Sequence, residues 1–406
     1  MLRSMFTAIS ALNLHQNYLD VVANNLANAN TTGFKASRVL FHDQFSQLMN
    51  PGASPSSTLG GTNPIQIGLG LQLGFISPIF TQGMLQSTGR NMDLALQGDG
   101  FFIYGRGTQR NYSREGSIAM DSEGYLVNSS TGLRLQGWQA DAAGNLDFNI
   151  PIGDIRLNAS RTLARQTATV NYGGNLSADT AIGGSVTTTM GVYDSLGVLH
   201  TASVQFTRTA ANTWTWQVTA PAGAAGQGTL VFDGDGHYVS NTVGTAVSIP
   251  ASPGANPINN LNLNLSATTM LSGSSSITVQ SQDGLPTGTV SDVYISPNDG
   301  AIILVYSNGM REKVAQIALA RFNNPAGLIH VGHTSFQQGL NSGEPEIGLP
   351  GSGGRGLVAA GYLEASNVDM AQEFTNMILA QRGFQASSRV ITTSDEILQE
   401  LVNLKR

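Results

Sequence analysis

The 406-residue chain has no cysteine, and only 11% of its residues are charged. Without cysteine there is no disulfide scaffold, no thiol nucleophile and no thiolate ligand for zinc or an iron–sulfur cluster. An average globular chain is roughly 25% charged, so ion pairs are scarce here. The 20 basic residues are outnumbered by 26 acidic ones, for a net charge of −6. That balance argues against gripping a phosphate backbone, and no nucleic-acid partner is expected. No run reaches the ~18 uninterrupted apolar residues of a membrane span. The longest apolar patches, around Ala301–Tyr306 and Leu357–Gly361, are strand- or turn-sized, so no membrane insertion is expected. Ser4, Thr7 and Ser10 interrupt the N-terminal apolar residues, which makes a poor Sec signal.

What is present is a core-forming 41% of hydrophobic residues, which excludes charge-rich disorder, and a length that suggests two or three domains. The ends and the middle are written in different periods. Leu2, Met5, Ile9, Leu12, Gln16, Leu19, Ala23 and Leu26 recur at alternating spacings of three and four, the heptad seam of a helix that faces another helix. The C-terminus repeats the pattern with Met370, Phe374, Met377, Gln381, Phe384, Ser388, Ile391, Asp395, Leu398 and Val402. One column there (Met377, Phe384, Ile391, Leu398) is wholly apolar, while Gln381, Ser388 and Asp395 make the other polar. Ser366-Asn367 mark the start of this helix, with Asp369 in its first turn where an acid suits the helix dipole. The N-terminal helix is expected to end in the Asn24–Thr32 run, with Gly33 reversing the chain. An amphipathic helix on a globular core would explain either stripe alone. Two matched stripes at opposite ends of a β-rich chain point to helices that pack together and with copies of themselves.

Strand signals fill the middle. Asp121-Ser-Glu-Gly124, Asp141-Ala-Ala-Gly144, Asp194-Ser-Leu-Gly197, Asn298-Asp-Gly300 and Ser307-Asn-Gly309 punctuate β-branched and aromatic runs, so much of the glycine (48 residues) is turn chemistry. From about 148 to 283 there is no lysine and a high load of Thr, Ser, Asn, Gly and Ala, and Thr-Trp-Thr-Trp (213–216) alternates like a half-buried strand. Residues 50–63 read as a loop-like linker.

No catalytic constellation stands out. His330-Val-Gly-His333 misses the i, i+4 spacing of a helical zinc site and reads as a solvent-facing pair. Asp233-Gly-Asp-Gly236 opens like a calcium loop, but no closing Glu follows, and a hairpin turn is the better account. Gly98-Asp-Gly-Phe-Phe102 and Gly353-Gly-Arg-Gly356 lack the Lys-Ser/Thr of a phosphate loop. No enzyme activity, metal or cofactor is expected. A β-rich adhesin would need a Sec signal and an anchor. A metal hydrolase would need His330 and His333 as ligands.

Three segments carry a family resemblance. Ala23-Asn-Asn-Leu-Ala-Asn-Ala-Asn-Thr-Thr-Gly-Phe-Lys35 resembles the N-terminal signature shared by the rod, hook and hook–filament junction proteins of the bacterial flagellar axis. Gly98-Asp-Gly-Phe-Phe, Tyr112-Ser-Arg-Glu-Gly-Ser-Ile, Asp121–Val127 and Leu135-Gln-Gly-Trp138 are similar to the core β domain of rod and hook members. Gly361-Tyr-Leu-Glu-Ala-Ser-Asn-Val-Asp369, continuing through Gln381-Arg-Gly-Phe-Gln385 to Leu401-Val-Asn-Leu-Lys-Arg406, resembles the C-terminal signature of the hook and distal-rod group. The extra β domain aligns the chain with the long hook-type members, with a distal-rod member carrying an insertion as the alternative.

The resemblance implies a mixed, mainly β fold whose terminal α-helices pair in a coiled-coil-like domain, with two nested β-rich domains between them. The expected boundaries are 1–33 and 363–406 for the helical assembly domain, 34–145 and 285–362 for the core β domain with its linker, and 146–284 for the inserted outer β domain. It further implies a helical homopolymer. Self-assembly would fall to Leu2, Met5, Ile9, Leu12, Leu19, Leu26, Asn24, Asn25, Asn28, Gly33 and Phe34 at the N-terminal end. At the C-terminal end it would fall to Glu364, Ser366, Asn367, Val368, Asp369, Phe374, Met377, Phe384, Ile391, Leu398 and Val402. Distal rod protein, hook cap protein, hook–filament junction protein and the type III export apparatus are the partners the resemblance implies. Export uncleaved and unfolded suits a chain without cysteine.

Overall fold

A computed structural model describes residues 2–55, 59–107, 109–141 and 144–404, apart from the side chains of Leu2, Arg106, Leu401 and Leu404. Parts of three expected features (residues 56–58 of the linker, 142–143 of the Asp141 turn, 405–406 of the C-terminal signature) therefore lie outside the described residues. The fold is mainly β, with one long helix at each end: α1 (Leu2–Ala27) and α2 (Met370–Leu404). The chain divides into two compact units, residues 1–157, 294–303 and 313–406, and residues 158–293 and 304–312.

In the first unit, α1 and α2 pack on each other. The apolar column of α2 faces inward, since Met377, Phe384, Ile391 and Leu398 are all half-buried. The second column differs from the sequence expectation by one position. Ala380 and Ser394 are buried, whereas Gln381 and Asp395 are exposed and Phe374 is 51% exposed. Small residues win this line because the helices approach closely: a Cβ on Gly383 would come within 2.4 Å of the His15 ring. In α1 the buried apolar residues are Ala8, Leu14 and Val22. Of the expected seam, Met5, Leu12, Leu19 and Leu26 are only half-buried, and Ile9, Gln16 and Ala23 are exposed. The helix has a second neighbour that the heptad pattern did not register. Phe41 sets its ring edge against His15 and Tyr18, at centroid distances of 6.3 and 5.7 Å. Two neighbours turn the most buried line of α1 away from a simple two-helix seam.

That neighbour is a hairpin. Ser37–Asp43 pairs antiparallel with Leu71–Pro78, and Ser46–Asn50 with Ile65–Gly68. The expected linker is thus the far end of a β arm, with Ala53 bridged to Thr62. The alternation Ile65-Gln-Ile and Leu71-Gln-Leu carried the strand signal, masked by the Gly- and Ser-rich tip. The arm is apolar and exposed: Phe45 is 70% and Met49 57% accessible.

The rest of the first unit is an antiparallel β core. Phe101–Arg106 pairs with Gln109–Ser113, Arg134–Gln139 and Leu319–Arg321. Edge-to-face rings fill it, with Phe80 to Phe101 at 5.4 Å and Tyr112 to Phe322 at 4.8 Å, a geometry worth more than its buried area alone. Residues 146–157 belong to this core, because Gly153 and Asp154 pair with Gly137 and Gln136 and the Ile155 amide donates to Leu135 O. The second unit therefore begins at Asn158, later than the expected boundary at 146, since composition changes before the pairing partner does.

In the second unit an eight-stranded sheet begins as a meander through Ser185–Tyr193, Leu199–Ala210, Thr213–Ala220, Ala225–Phe232, Tyr238–Ile249 and Ile258–Thr269. The last of these pairs parallel with Thr169–Asn175, which in turn pairs with Thr278–Gln282. Period-2 alternation sends Trp214, Trp216 and Val218 into one core with Phe206, Tyr172 and Leu230.

The Asp-x-x-Gly turns share one wiring. Asp121, Asp194 and Asp233 each accept at Oδ1 from the amides two and four residues on, at 2.7–3.0 Å. The glycine that closes each turn sits at φ 87°, 80° and 81°, where only glycine is unstrained. Asp233-Gly-Asp-Gly236 is one of these turns.

Candidate functional site

The two terminal signatures meet at Glu364, in the first unit. The Glu364 side chain is 0% exposed and accepts from Lys35 Nζ at 2.6 Å and from the Gly83 amide at 2.9 Å, both through Oε1. Arg114 Nη1 reaches Oε2 at 3.4 Å. Lys35 Nζ also donates to Thr81 O at 2.7 Å. Burial pushes the Lys35 ammonium and the Arg114 guanidinium down from their ordinary values, and Glu364 pulls both back toward the charged form. The backbone joins the same residues, since the Gly33 amide donates to Glu364 O at 2.8 Å. Gly33 is at φ 70°, and a Cβ there would lie 2.7 Å from the Glu115 amide. The chain reversal at this position requires glycine for both reasons.

Two asparagines complete the junction. Asn367 accepts from the Ala36 amide at 2.8 Å and donates to Ile79 O at 2.8 Å and to Thr81 Oγ1 at 2.9 Å. Asn25 accepts from the Ser37 amide at 2.9 Å and donates to Ser37 O at 2.8 Å. These side chains mimic a strand partner for a backbone that has just left a helix. Asn28 is local, donating to Asn24 O and accepting from Thr31 Oγ1. Ser366 Oγ accepts from the Val368 amide at 3.3 Å.

Asp369 lies one step before α2 rather than in its first turn. Its Oδ1 accepts from the Ala371 amide at 2.9 Å and the Gln372 amide at 3.2 Å, which makes it the N-cap. Asn367, expected to mark the helix start, is committed to the Ala36 and Thr81 contacts instead. A cleft of about 480 Å3 runs beside the junction, with Asn24, Asn25, Gly33, Phe34, His330 and Thr334 among its lining residues.

Of the expected assembly residues, Asn25, Gly33, Glu364 and Asn367 converge on this junction, with Phe34 and Asn24 on the cleft. Met5, Ile9, Leu12, Leu19 and Leu26 line α1, and Met377, Phe384, Ile391 and Leu398 line α2. Val402 and Phe374 are exposed, at 68% and 51%. The Leu2 side chain lies outside the described residues. Lys35 and Arg114 stand inside the quoted motifs, yet nothing in their spacing identified them as partners of a carboxylate more than two hundred residues away. The imbalance of one acid between two buried bases is visible only in three dimensions.

No cluster of three or more His, Cys, Asp or Glu suited to a metal occurs among the described residues. His330 sits edge-on to Phe336 at 5.2 Å, and His333 is in a turn at φ 49°. No described helix is long and apolar enough to cross a membrane.

A junction that ties both chain ends to a β core, beside two helices and an arm with exposed apolar residues, defines a structural, self-associating subunit. Residues 5–35 match the family described as flagella basal body rod protein, and residues 359–404 match the flagellar basal body rod FlgEFG protein C-terminal family. Residues 95–178 match the flagellar hook protein FlgE/F/G D1 domain, and 157–285 the flagellar basal body protein FlaE D2 domain. The chain is 38% identical to the flagellar hook protein FlgE of Borreliella burgdorferi and 37% identical to that of Treponema pallidum, covering 100% of both chains in each case. It is 31% identical to the flagellar basal-body rod protein FlgG of Bacillus subtilis, again over 100% of both. The chain belongs to the flagellar hook protein family.

Proposed function

We propose that this chain polymerises into the hook, a flexible tube that passes torque from rod to filament, with α1 and α2 lining the inner tube and the two β units forming its outer layers. The observation that carries the reading is the Glu364 junction, which fixes the roots of both helices to the β core while their distal faces keep Phe6, Ile378, Leu379 and Val402 exposed. Apolar faces of that kind are buried when identical neighbours are present. The domain reading follows: 1–33 with 363–406 assembles, the β core of the first unit supports them, and the second unit forms the outermost layer. Scarce charge on that layer suits lateral contacts that must slide as the tube bends. Distal rod, cap and junction proteins, and the type III export apparatus, are the partners this role requires. A rod role is the second reading, favoured by the full-length match to FlgG.

Electron microscopy of the concentrated chain tests the reading. Full-length protein is expected to form curved tubes, and protein lacking 2–30 and 370–404 none. Straight, stiff tubes would favour the rod reading, and tubes from the truncated chain would exclude this role for the helices. Before assembly, amides throughout 2–30 and 370–402 should exchange freely in hydrogen-exchange measurements, because the helices lack their neighbours. Strong protection there in a verified monomer would contradict this.

A further inference from the structure

The cleft of about 480 Å3 beside the junction has apolar walls, supplied by Val21, Phe34, Ile76, Leu328 and Phe336. Thr334, which also lines it, follows His333 in a tight turn where both residues take positive φ, 51° and 49°. A β-branched residue is strained in that conformation. The fold holds the turn in place: Ser113 Oγ donates to Thr334 O at 2.8 Å, and Thr334 Oγ1 to Glu115 Oε2 at 3.2 Å. Backbone strain kept by such supports clusters at binding sites.

The same unit carries an apolar side chain on a rigid mount. Leu340 is 110% exposed, in the loop between Ser335–Gln337 and Glu346–Gly348. An exposed leucine is ordinary, but the mount is not. Ser342 is 0% exposed, and its Oγ accepts from the Gly339 amide at 3.1 Å. Asn324 Nδ2 donates to Asn341 O at 2.8 Å, and Gln338 Nε2 to Gly343 O at 3.2 Å. Gly339 packs so closely on Gly327 that a Cβ would lie 2.1 Å from Gly327 O. The loop is thus fixed on both sides of a leucine held in solvent.

We infer that this cleft is the socket for Leu340 of a second copy of the chain. The inference rests on the polymer reading above and names the residues of one contact. Leu340 stands outside the cleft of its own chain, so another copy must bring it there. Its loop is already ordered, and docking therefore costs little conformational entropy. The cleft is continuous with α1 through Val21 and Asn24, the helix whose exposed faces the polymer would bury. A knob and a socket formed by different residues of one chain make a heterologous contact, the kind that repeats into rings or open helices.

Leu340→Asp in the full-length chain is expected to abolish tubes in electron microscopy. Leu340→Ala should raise the protein concentration at which tubes appear about tenfold, since most of the buried leucine surface is lost. Neither should move the thermal unfolding of the unassembled chain, where the side chain is in solvent. Cysteine pairing identifies the socket, because the chain has no cysteine of its own. Leu340→Cys chains, mixed with Ile76→Cys chains and oxidised at high concentration, should give mixed dimers about tenfold in excess of either homodimer. Pairing requires contact between copies but not tubes, so it reads the socket even where the wild-type chain forms none and the polymer reading fails. A random mixture of the three dimers, or tubes from Leu340→Asp at the wild-type concentration, would overturn the socket and leave the polymer reading standing. Selective pairing of Ile76→Cys with Phe45→Cys instead would assign the cleft to the β arm of a second copy and overturn Leu340 as its occupant.

Discussion

Replacing Glu364 by Gln should destabilise the first unit by about 3–5 kcal/mol, whereas replacing Lys35 by Met should cost distinctly less. Removing one member of a buried ion pair is expensive because it leaves an uncompensated charge, and that charge, rather than the lost attraction, sets the magnitude. Here the two directions are unequal. Glu364→Gln leaves Lys35 and Arg114 buried without the carboxylate they share. Lys35→Met leaves Glu364 balanced by Arg114 and still bonded to the Gly83 amide. The measurement is thermal unfolding of each variant, with Glu364→Gln expected to melt on the order of 10 °C lower. Equal losses would mean that Arg114, at 3.4 Å, does not share the carboxylate. Because the Lys35–Glu364 side-chain pair ties the segment that follows α1 to the segment that precedes α2, the Gln variant should lose tube formation at temperatures where it is still mostly folded.

The sequence made the class of fold and the ends of the chain legible for a physical reason. Heptad spacing, Asp-x-x-Gly turns and strict alternation each encode a local geometry, and those local geometries hold in three dimensions. The column Met377–Phe384–Ile391–Leu398 is inward as its period requires. What the sequence left unread were choices made by neighbours far along the chain. The heptad pattern names a face but not the number of partners, so it could not register the Phe41 hairpin that turns the buried line of α1 toward Leu14 and Val22. Apolarity marks a core, and Ala380, Gly383 and Ser394 are selected for size instead. Asn367 looks like a helix start in sequence because asparagine caps helices, and in the fold it caps a strand from the other end of the chain. The Glu364 junction is the extreme case, a site assembled from residues 35, 81, 83, 114 and 364 with no sequence period to connect them.

Asp194 carries the second large effect, this time in the second unit. Its side chain is fully buried. Oδ1 accepts from the Leu196 and Val198 amides at 2.9 and 3.0 Å, and Oδ2 from the Ser252 amide at 3.2 Å, with His200 Nε2 at 2.9 Å. Burial works against the charged carboxylate, but the His200 contact and the amide donors outweigh it and hold Asp194 well below the ordinary aspartate range. A group whose folded-state value is depressed contributes stability that is complete above its unfolded value, near ~4. That contribution is lost as pH falls below this value toward the folded one. The second unit should therefore lose stability steeply under acid. Asp194→Ala should remove about 3 kcal/mol at neutral pH, since it strands several donors at once, and should flatten the acid slope. Asp194→Asn keeps the Oδ1 acceptor of the turn, so it should cost less at pH 7 while removing the same slope. Trp214 and Trp216 report on this unit and Trp138 on the other, so tryptophan fluorescence in a Trp138→Phe background isolates the transition. An acid slope that survives in Asp194→Asn would assign the acid sensitivity to other carboxylates and leave this turn a purely structural one.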